Sequence, residues 1–348
     1  MPTQPAVEPS NRRGRLGLLL PILLVLLALG GWTVWWFVVA NRVAEETDRA
    51  AADLRRAGYQ VAWTDRDVTG WPYRTLVRFQ GFKVAAPSGH ALAAPRLDVE
   101  ANTYALDKWV AVAPDGLVLT RGAKGEVRVA GGPIRASLSG LRRSPPNLVV
   151  ELRKPVFTPA AGAEPFPLAS AELVDLYLRP RAGGAVGEGE FLVRVDGGKP
   201  RPDGMLDWIG AGEPFSMHWE GRVAALNQFR GASWREAARR WASAGGALSQ
   251  VRGVARAGNA SLDAASQRLW VGLDGRLRGG VAMTLKGGPE SLMALGRSQA
   301  VDQRGATAAA AATAVAGGLD GTARVRLDFT DEGAKIGPFR LSGSPTIF

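Results

Sequence analysis

LWVGLDGRLRGGVAMTL, residues 269–285, decides the fold class. Two runs of alternating character, Leu269–Leu273 and Leu277–Leu285, flank Asp274-Gly275. That dipeptide readily supplies the positive φ angles of a tight antiparallel hairpin. A period of two then places Leu277, Gly279, Val281, Met283 and Leu285 on one face of the second strand. The same grammar recurs on either side. Working back toward the N-terminus, short strands are predicted at Met217–Val223, Phe191–Val195, Leu173–Leu178, Leu148–Leu152, Ile134–Leu138 and Val127–Val129. Leu117–Thr120 and Trp109–Ala113 follow, joined by Pro114-Asp-Gly116, then Arg96–Ala101, Thr75–Phe79 and Tyr59–Trp63. Toward the C-terminus, Arg324–Phe329 and Ile336–Leu341 read as a closing hairpin around Asp331-Glu-Gly333. The expected class is α+β, mainly β: a largely antiparallel curved-sheet or sandwich-like domain with a few packed helices.

One helix interrupts the strands. Ser233-Trp-Arg-Glu236 has the spacing of a capping box, and Gly245-Gly246 ends the helix after about Ala244. Trp234, Ala237, Ala238 and Trp241 share a face at helical spacing, which predicts both tryptophans turned inward onto a sheet. A further short helix is expected at Pro289–Arg297, and Thr307–Gly318 is a low-complexity alanine run.

The N-terminal region has a different period. Leu16–Ala40 runs 25 residues without a charge, enough to cross a hydrocarbon core of ~30 Å. Its far end carries Trp32, Trp35, Trp36 and Phe37, rings that favour the headgroup level. A cleaved signal has a shorter apolar region, so the stretch reads as a retained signal-anchor. Arg12, Arg13 and Arg15 precede it, which predicts a cytoplasmic N-terminus and a bulk across the membrane. The expected organisation is a basic cytoplasmic tail at 1–15, a transmembrane anchor at 16–40 and a helical stalk at 41–57. A β-rich extracytoplasmic domain then occupies 58–348, with helix 233–244 inserted between strand runs.

The net charge of +11 would suit nucleic acid, but the arginines are spread along alternating strands rather than clustered. A bulk across the membrane removes that partner as well, so nucleic acid is not expected. With no cysteine there is no disulfide, thiolate metal site or cysteine nucleophile. His90 and His218 lie in separate strand regions without ligand-type neighbours, and no carboxylate cluster has metal spacing. No Gly-x-Ser-x-Gly elbow nominates a serine. Gly183-Gly-Ala-Val-Gly-Glu-Gly189 lacks the Gly-Lys-Ser/Thr of a phosphate loop and reads as a hairpin turn. Neither an enzyme nor a cofactor or metal is expected.

The order of features resembles a known family. Gly58-Tyr59 through Trp63 and the Gly70-Trp-Pro-Tyr-Arg74 turn are followed by Trp234-Arg-Glu-Ala-Ala-Arg-Arg-Trp-Ala-Ser-Ala-Gly-Gly246. Leu273-Asp-Gly-Arg-Leu-Arg-Gly279 and Gly337-Pro-Phe339 complete the pattern. Together these are similar to the bacterial "domain of unknown function 2125" family over nearly the whole chain. The resemblance implies a membrane-anchored envelope protein and carries no catalytic residue. A looser, purely architectural likeness is to the AsmA-like proteins, whose curved sheets hold lipid.

The anchor, the alternating strands and the basic surface together suggest an inner-membrane protein whose periplasmic domain binds or helps transfer phospholipid in an apolar groove. The alternative is a non-catalytic scaffold that binds another envelope protein. Under the lipid reading the groove candidates are Leu277, Val281, Met283, Leu285, Trp63 and Phe79, with Arg74 as a headgroup contact.

Overall fold

The computed structural model describes residues 13–231, 233–287, 322–337 and 339–348. The expected helix at 289–297 and the alanine run at 307–318 lie outside the described residues. The class is as expected: mainly β, with three α-helices among the described residues and a large antiparallel sheet.

Helix α1, Arg13–Arg56, is a single unbroken element. The apolar stretch and the stalk expected after it are therefore one rod. Pro21 lies inside it, and Gly58 follows its end at φ 88°. Strands β1 (Gln60–Ala62) and β2 (Asp65–Thr69) both pair with β3 (Arg74–Ala85), each along a different half. On its other edge β3 pairs with β4 (His90–Asn102) along almost its full length.

At β4 the sheet divides. Residues Asp98–Asn102 pair with β5 (Ala105–Ala113), whereas His90–Ala93 pair with β6 (Leu117–Arg121). The first arm continues through β8 (Ile134–Ser139), β9 (Asn147–Arg153) and β12 (Leu173–Pro180). The second runs through β7 (Glu126–Ala130), β10 (Val156–Pro159) and β11 (Leu168–Ser170). Both arms rejoin on β13 (Gly189–Pro200), with β12 along Gly189–Asp196 and β11 at Lys199–Pro200. The strands joined by Pro114-Asp-Gly116 thus do not pair with each other. Those residues are the corner where the chain leaves one arm for the other. Gly116 sits there at φ 78°, where a Cβ would lie 2.4 Å from the Val129 carbonyl oxygen, so only glycine fits.

The ring so formed encloses the main core. Val127, Val129, Phe157 and Leu168 from the second arm meet Ala113, Ile134, Leu152, Val174 and Val195 from the first arm and β13. Phe157 and Phe166 stack at 4.4 Å.

Beyond β13 a meander of hairpins extends the sheet. It comprises β14 (Phe215–Val223), β15 (Ala247–Ala257), β16 (Ala260–Val271), β17 (Leu277–Lys286), β18 (Thr322–Thr330) and β19 (Gly333–Ile336), ending in β20 (Phe339–Ser342). The Asp274-Gly275 hairpin forms as read, with Val271 opposite Leu277. Asp274 accepts from the Arg276 N–H and from the Arg278 guanidinium, which fixes the turn. The closing hairpin pairs β18 with β19 at Gly333–Ile336, not with 336–341. The latter segment lies one strand further out, as β20.

Two helices join the meander. Helix α2, Met205–Gly210, links β13 to β14. Helix α3, Trp234–Ser243, lies between β14 and β15, and the Ser233 hydroxyl accepts from the Glu236 N–H as the capping box requires. The Glu236 carboxylate also accepts from Arg240. The expected burial of both tryptophans does not hold. Trp234 is 56% exposed and donates to the Ile347 carbonyl, while Trp241 is half-buried and donates to Ala224. The reason is position: α3 packs on the 3-10 turn Leu226–Gln228, so only Ala237 and Ala238 of its inner face are fully buried and Trp241 lies at the margin against Phe229.

Candidate functional site

Register turns the alternation of single strands into a continuous surface. Residues directly opposite each other in an antiparallel ladder share a face. Following one line across the sheet gives Val77, Val99, Ala111, Ala136, Val150 and Leu176 on β3, β4, β5, β8, β9 and β12. It continues through Val193, Trp219, Gly253, Ala264, Met283 and Val325 on β13 to β18. Twelve strands contribute to this line without one polar side chain. At ~4.8 Å per strand it is roughly 50 Å long.

A parallel line two residues away runs Ala113, Ile134, Leu152, Val174, Val195, Met217, Ala255, Leu262, Leu285 and Ala323. The second arm covers its first part to form the core. The longer line has another fate. Ala111, Ala136, Val150, Val193 and Trp219 are only half-buried, and Leu176 is 38% exposed. Two glycines flatten the strip under aromatic rings. A Cβ at Gly253 would meet the Trp219 indole at 2.3 Å, and one at Gly221 would meet Phe191 at 3.0 Å. The Trp219 N–H is buried without a hydrogen-bond partner among the described residues.

The opposite face of the same strands is charged. Arg78, Asp98, Val112, Arg135, Glu151, Asp175, Arg194 and His218 stand in one line across it. Asp98 accepts from Arg96 and Arg78, and these hydrogen bonds, Arg96 first, hold its carboxyl below the ordinary carboxylate range against the cost of burial. Asp175 is 1% exposed and receives the Arg194 guanidinium at 2.6 Å. Burial, with Asp175 beside it, pushes the neighbouring Tyr177 hydroxyl above its usual pKa. His218 lies 3.8 Å from Glu220, and His90 touches the Ser88 hydroxyl at 3.1 Å. Among the described residues no group of three His, Asp or Glu side chains is placed to hold a metal ion.

The sequence-derived candidates separate into two regions. Met283 and Leu285 line an apolar cavity of about 320 Å³ with Leu206 and Ile209 of α2, Phe215, Leu262 and Ile336. Val281 shares their face of β17 opposite Leu327, and Leu277 lies at the hairpin end of the same strand opposite Val271. Trp63 and Phe79 are elsewhere, beside α1. Their rings meet at 5.3 Å, and Arg55 and Arg66 lie over Trp63. Arg74 pairs with Glu100 at 3.1 Å, and its backbone carbonyl accepts the Trp36 indole N–H.

Sequence reasoning missed the middle of the strip, including Leu176, Val193 and Trp219, although each lies in a predicted strand. Parity within a strand was visible, but which strands adjoin was not. It also missed α2, whose Leu206 and Ile209 stand at i and i+3 just after the turn residues Pro202-Asp-Gly204.

Together these features define a β-rich protein of one branched antiparallel sheet, apolar on one face, with an N-terminal helix long and apolar enough to span a membrane. The family model described as "Uncharacterized protein conserved in bacteria (DUF2125)" matches residues 36–345, and the chain belongs to that family. No curated protein and no solved structure matches the chain.

Proposed function

We propose that this is a single-pass protein of the bacterial inner membrane, N-terminus inside, whose periplasmic sheet binds phospholipid as a carrier or holder rather than as an enzyme. The observation that carries the reading is the unbroken apolar line from Val77 to Val325, half-buried between β5 and β14. Contiguous apolar surface left partly in water, here along β5, β8, β9, β12, β13 and β14, mainly marks an interaction site, because leaving it there is costly. The cavity at Met283 and Leu285 falls in the usual size range of small-molecule sites, ~300–1,000 Å³, and its lining is mostly apolar. The unpartnered Trp219 N–H suits an ester or carboxylate oxygen of a lipid. The basic residues before Leu16 support the orientation.

The test is site-specific photo-crosslinking in the intact protein in cells. A photo-reactive residue at Leu176 or Val193 is expected to capture phospholipid, detected as a mass shift, whereas one at His218 on the charged face is not. Equal capture on both faces, or none at Leu176 and Val193, overturns the reading. Capture of a protein there instead would favour the scaffold.

A further inference from the structure

The junction between α1 and the sheet fixes how the domain sits relative to the apolar helix. Trp32 donates to the Pro72 carbonyl, Trp36 donates to the Arg74 carbonyl, and Trp71 donates to the Thr33 hydroxyl. Further along, Arg66 reaches back to Ala44 and Asp48, and Arg55 binds the Val61 carbonyl. Val61 stands opposite Val84 of β3. From Trp36 to Arg55 the helix rises roughly 28 Å. From Arg74 to Val84 the strand advances roughly 33 Å. The two lengths agree only if α1 runs alongside β3, so the strands at this end are nearly parallel to the anchor.

A helix that crosses the bilayer therefore aims one edge of the sheet at the membrane. That edge carries the β2–β3 turn at Trp71–Tyr73, the β4–β5 turn at Thr103–Tyr104 and the β8–β9 loop at 140–146. They are linked in series: Thr103 donates its N–H to Tyr73, and Gly140 donates to Asp107 at the start of β5. Trp32 and Trp36 lie nine and five residues before Asn41, where the helix first turns polar. The docked turn thus sits roughly 7–14 Å deeper than that point.

The side chains at this edge match such a depth. Tyr73 and Tyr104 are 67% and 66% exposed, and Trp71 and Leu141 are exposed beside them. Arg142 and Arg143, also exposed, follow Leu141 directly. Aromatic rings with a polar handle, next to paired arginines, are the composition that settles at an anionic headgroup layer. Strands rotate ~20–25° from one to the next, so loops beyond β9 turn away from the same plane.

We propose that the loops 70–73, 103–104 and 140–143 form a second membrane contact, seated in the anionic headgroup layer of the bilayer that α1 spans. The sheet is then held with its strands upright on the membrane and its apolar strip running along the surface. The proposal rests on α1 spanning the bilayer and is independent of what the strip binds.

The chain has no cysteine, so single spin labels can be placed without background. Full-length Leu26→Cys, Tyr104→Cys, Leu141→Cys and Ser88→Cys variants are labelled and reconstituted into phosphatidylcholine–phosphatidylglycerol vesicles. Ser88 lies in the turn at the far end of β3, roughly 40 Å from the docked edge. Labels at 26, 104 and 141 are expected to be shielded from a water-soluble nickel complex, with oxygen access falling from 26 to the other two. The label at 88 is expected to stay open to nickel. Labels at 104 and 141 as open as the one at 88, with 26 shielded, overturn the docked edge and leave the anchor standing. An open label at 26 overturns the anchor and the docked edge together. In the Leu141→Cys background, Arg142→Glu with Arg143→Glu is expected to shift the docked population roughly thirtyfold toward water. An unchanged label there overturns the role of the headgroup charge.

Discussion

The ring and the open strip are built from the same alternating strands, yet one is a core and the other a surface. In the ring, Val129 is 0% exposed, because the second arm folds back over the apolar face and meets the first on β13. Across β8, β9 and β12, the next apolar line inward from the strand ends stays half-buried. The difference lies in pairing rather than composition. One corner at Pro114–Gly116 sends β6 to the N-terminal half of the β4 edge, away from the half that β5 occupies, and that choice decides which apolar line is roofed.

The largest expected effect follows from introducing a charge on each side of this divide. Val129→Asp places an unpaired carboxylate inside the ring, and a loss of at least ~4 kcal/mol is expected in denaturant unfolding. Leu176→Asp sits on the open strip, where water can reach the carboxylate, and about 1 kcal/mol or less is expected. The second variant is also expected to abolish lipid capture at Val193. Equal destabilisation by the two would mean that the strip is as closed as the ring.

The charged face offers the next contrast. Asp175 is buried on it, with Arg194 as its ionic partner. Arg194→Ala strands that carboxylate and is expected to cost about 3 kcal/mol, the low end for a broken buried pair because the arginine itself is partly exposed. Asp175→Asn with Arg194→Ala together should recover much of the loss, which a double-mutant cycle reads directly. A purely additive cycle would mean that the pair does not brace the sheet.

Gly253 bears on the strip itself. An alanine there would force the Trp219 ring to move, since the added carbon would lie 2.3 Å from it. Gly253→Ala is expected to destabilise by roughly 1–3 kcal/mol and to reduce capture at Val193. An unchanged protein would show that the ring already moves freely.

Much of this was legible in the sequence, and the gaps have physical causes. Alternation at Leu173–Leu178 and the Asp274-Gly275 turn gave strand parity and one register, because both are local. The branch at Pro114–Gly116 was not local: β5 meets β4 across a two-residue turn, but β6 returns to the same edge of β4 with Ala93 opposite Val118, 25 residues apart in the chain. In Ala260–Gln267 of β16, Leu262 is the one large apolar residue, and the small Ala264 lies opposite Gly253 and Met283 in the row that Trp219 also fills. Trp63 and Phe79 looked like groove residues because they alternate correctly, but α1 returns Arg55 to that end of the sheet. The partner of Trp234 is Ile347, more than a hundred residues on, so its exposure could not be read from the helical face.

The smallest expected effect separates the faces by acid. Asp98 has a folded pKa lowered chiefly by its hydrogen bond to Arg96, then by the one to Arg78. A depressed carboxyl binds its proton less readily when folded than when unfolded. Its contribution is therefore complete above the ordinary value of 3.8 and disappears as pH falls below 3.8 through the folded pKa. Unfolding midpoints of the wild type and Asp98→Asn should differ near neutrality and converge as pH falls below 3.8. The apolar strip has no titrating side chain in its main line, so acid should weaken the charged face and leave lipid capture at Val193 unchanged until the domain unfolds. Loss of capture at a pH where the fold persists would mean that a charged group, not the apolar line, holds the ligand.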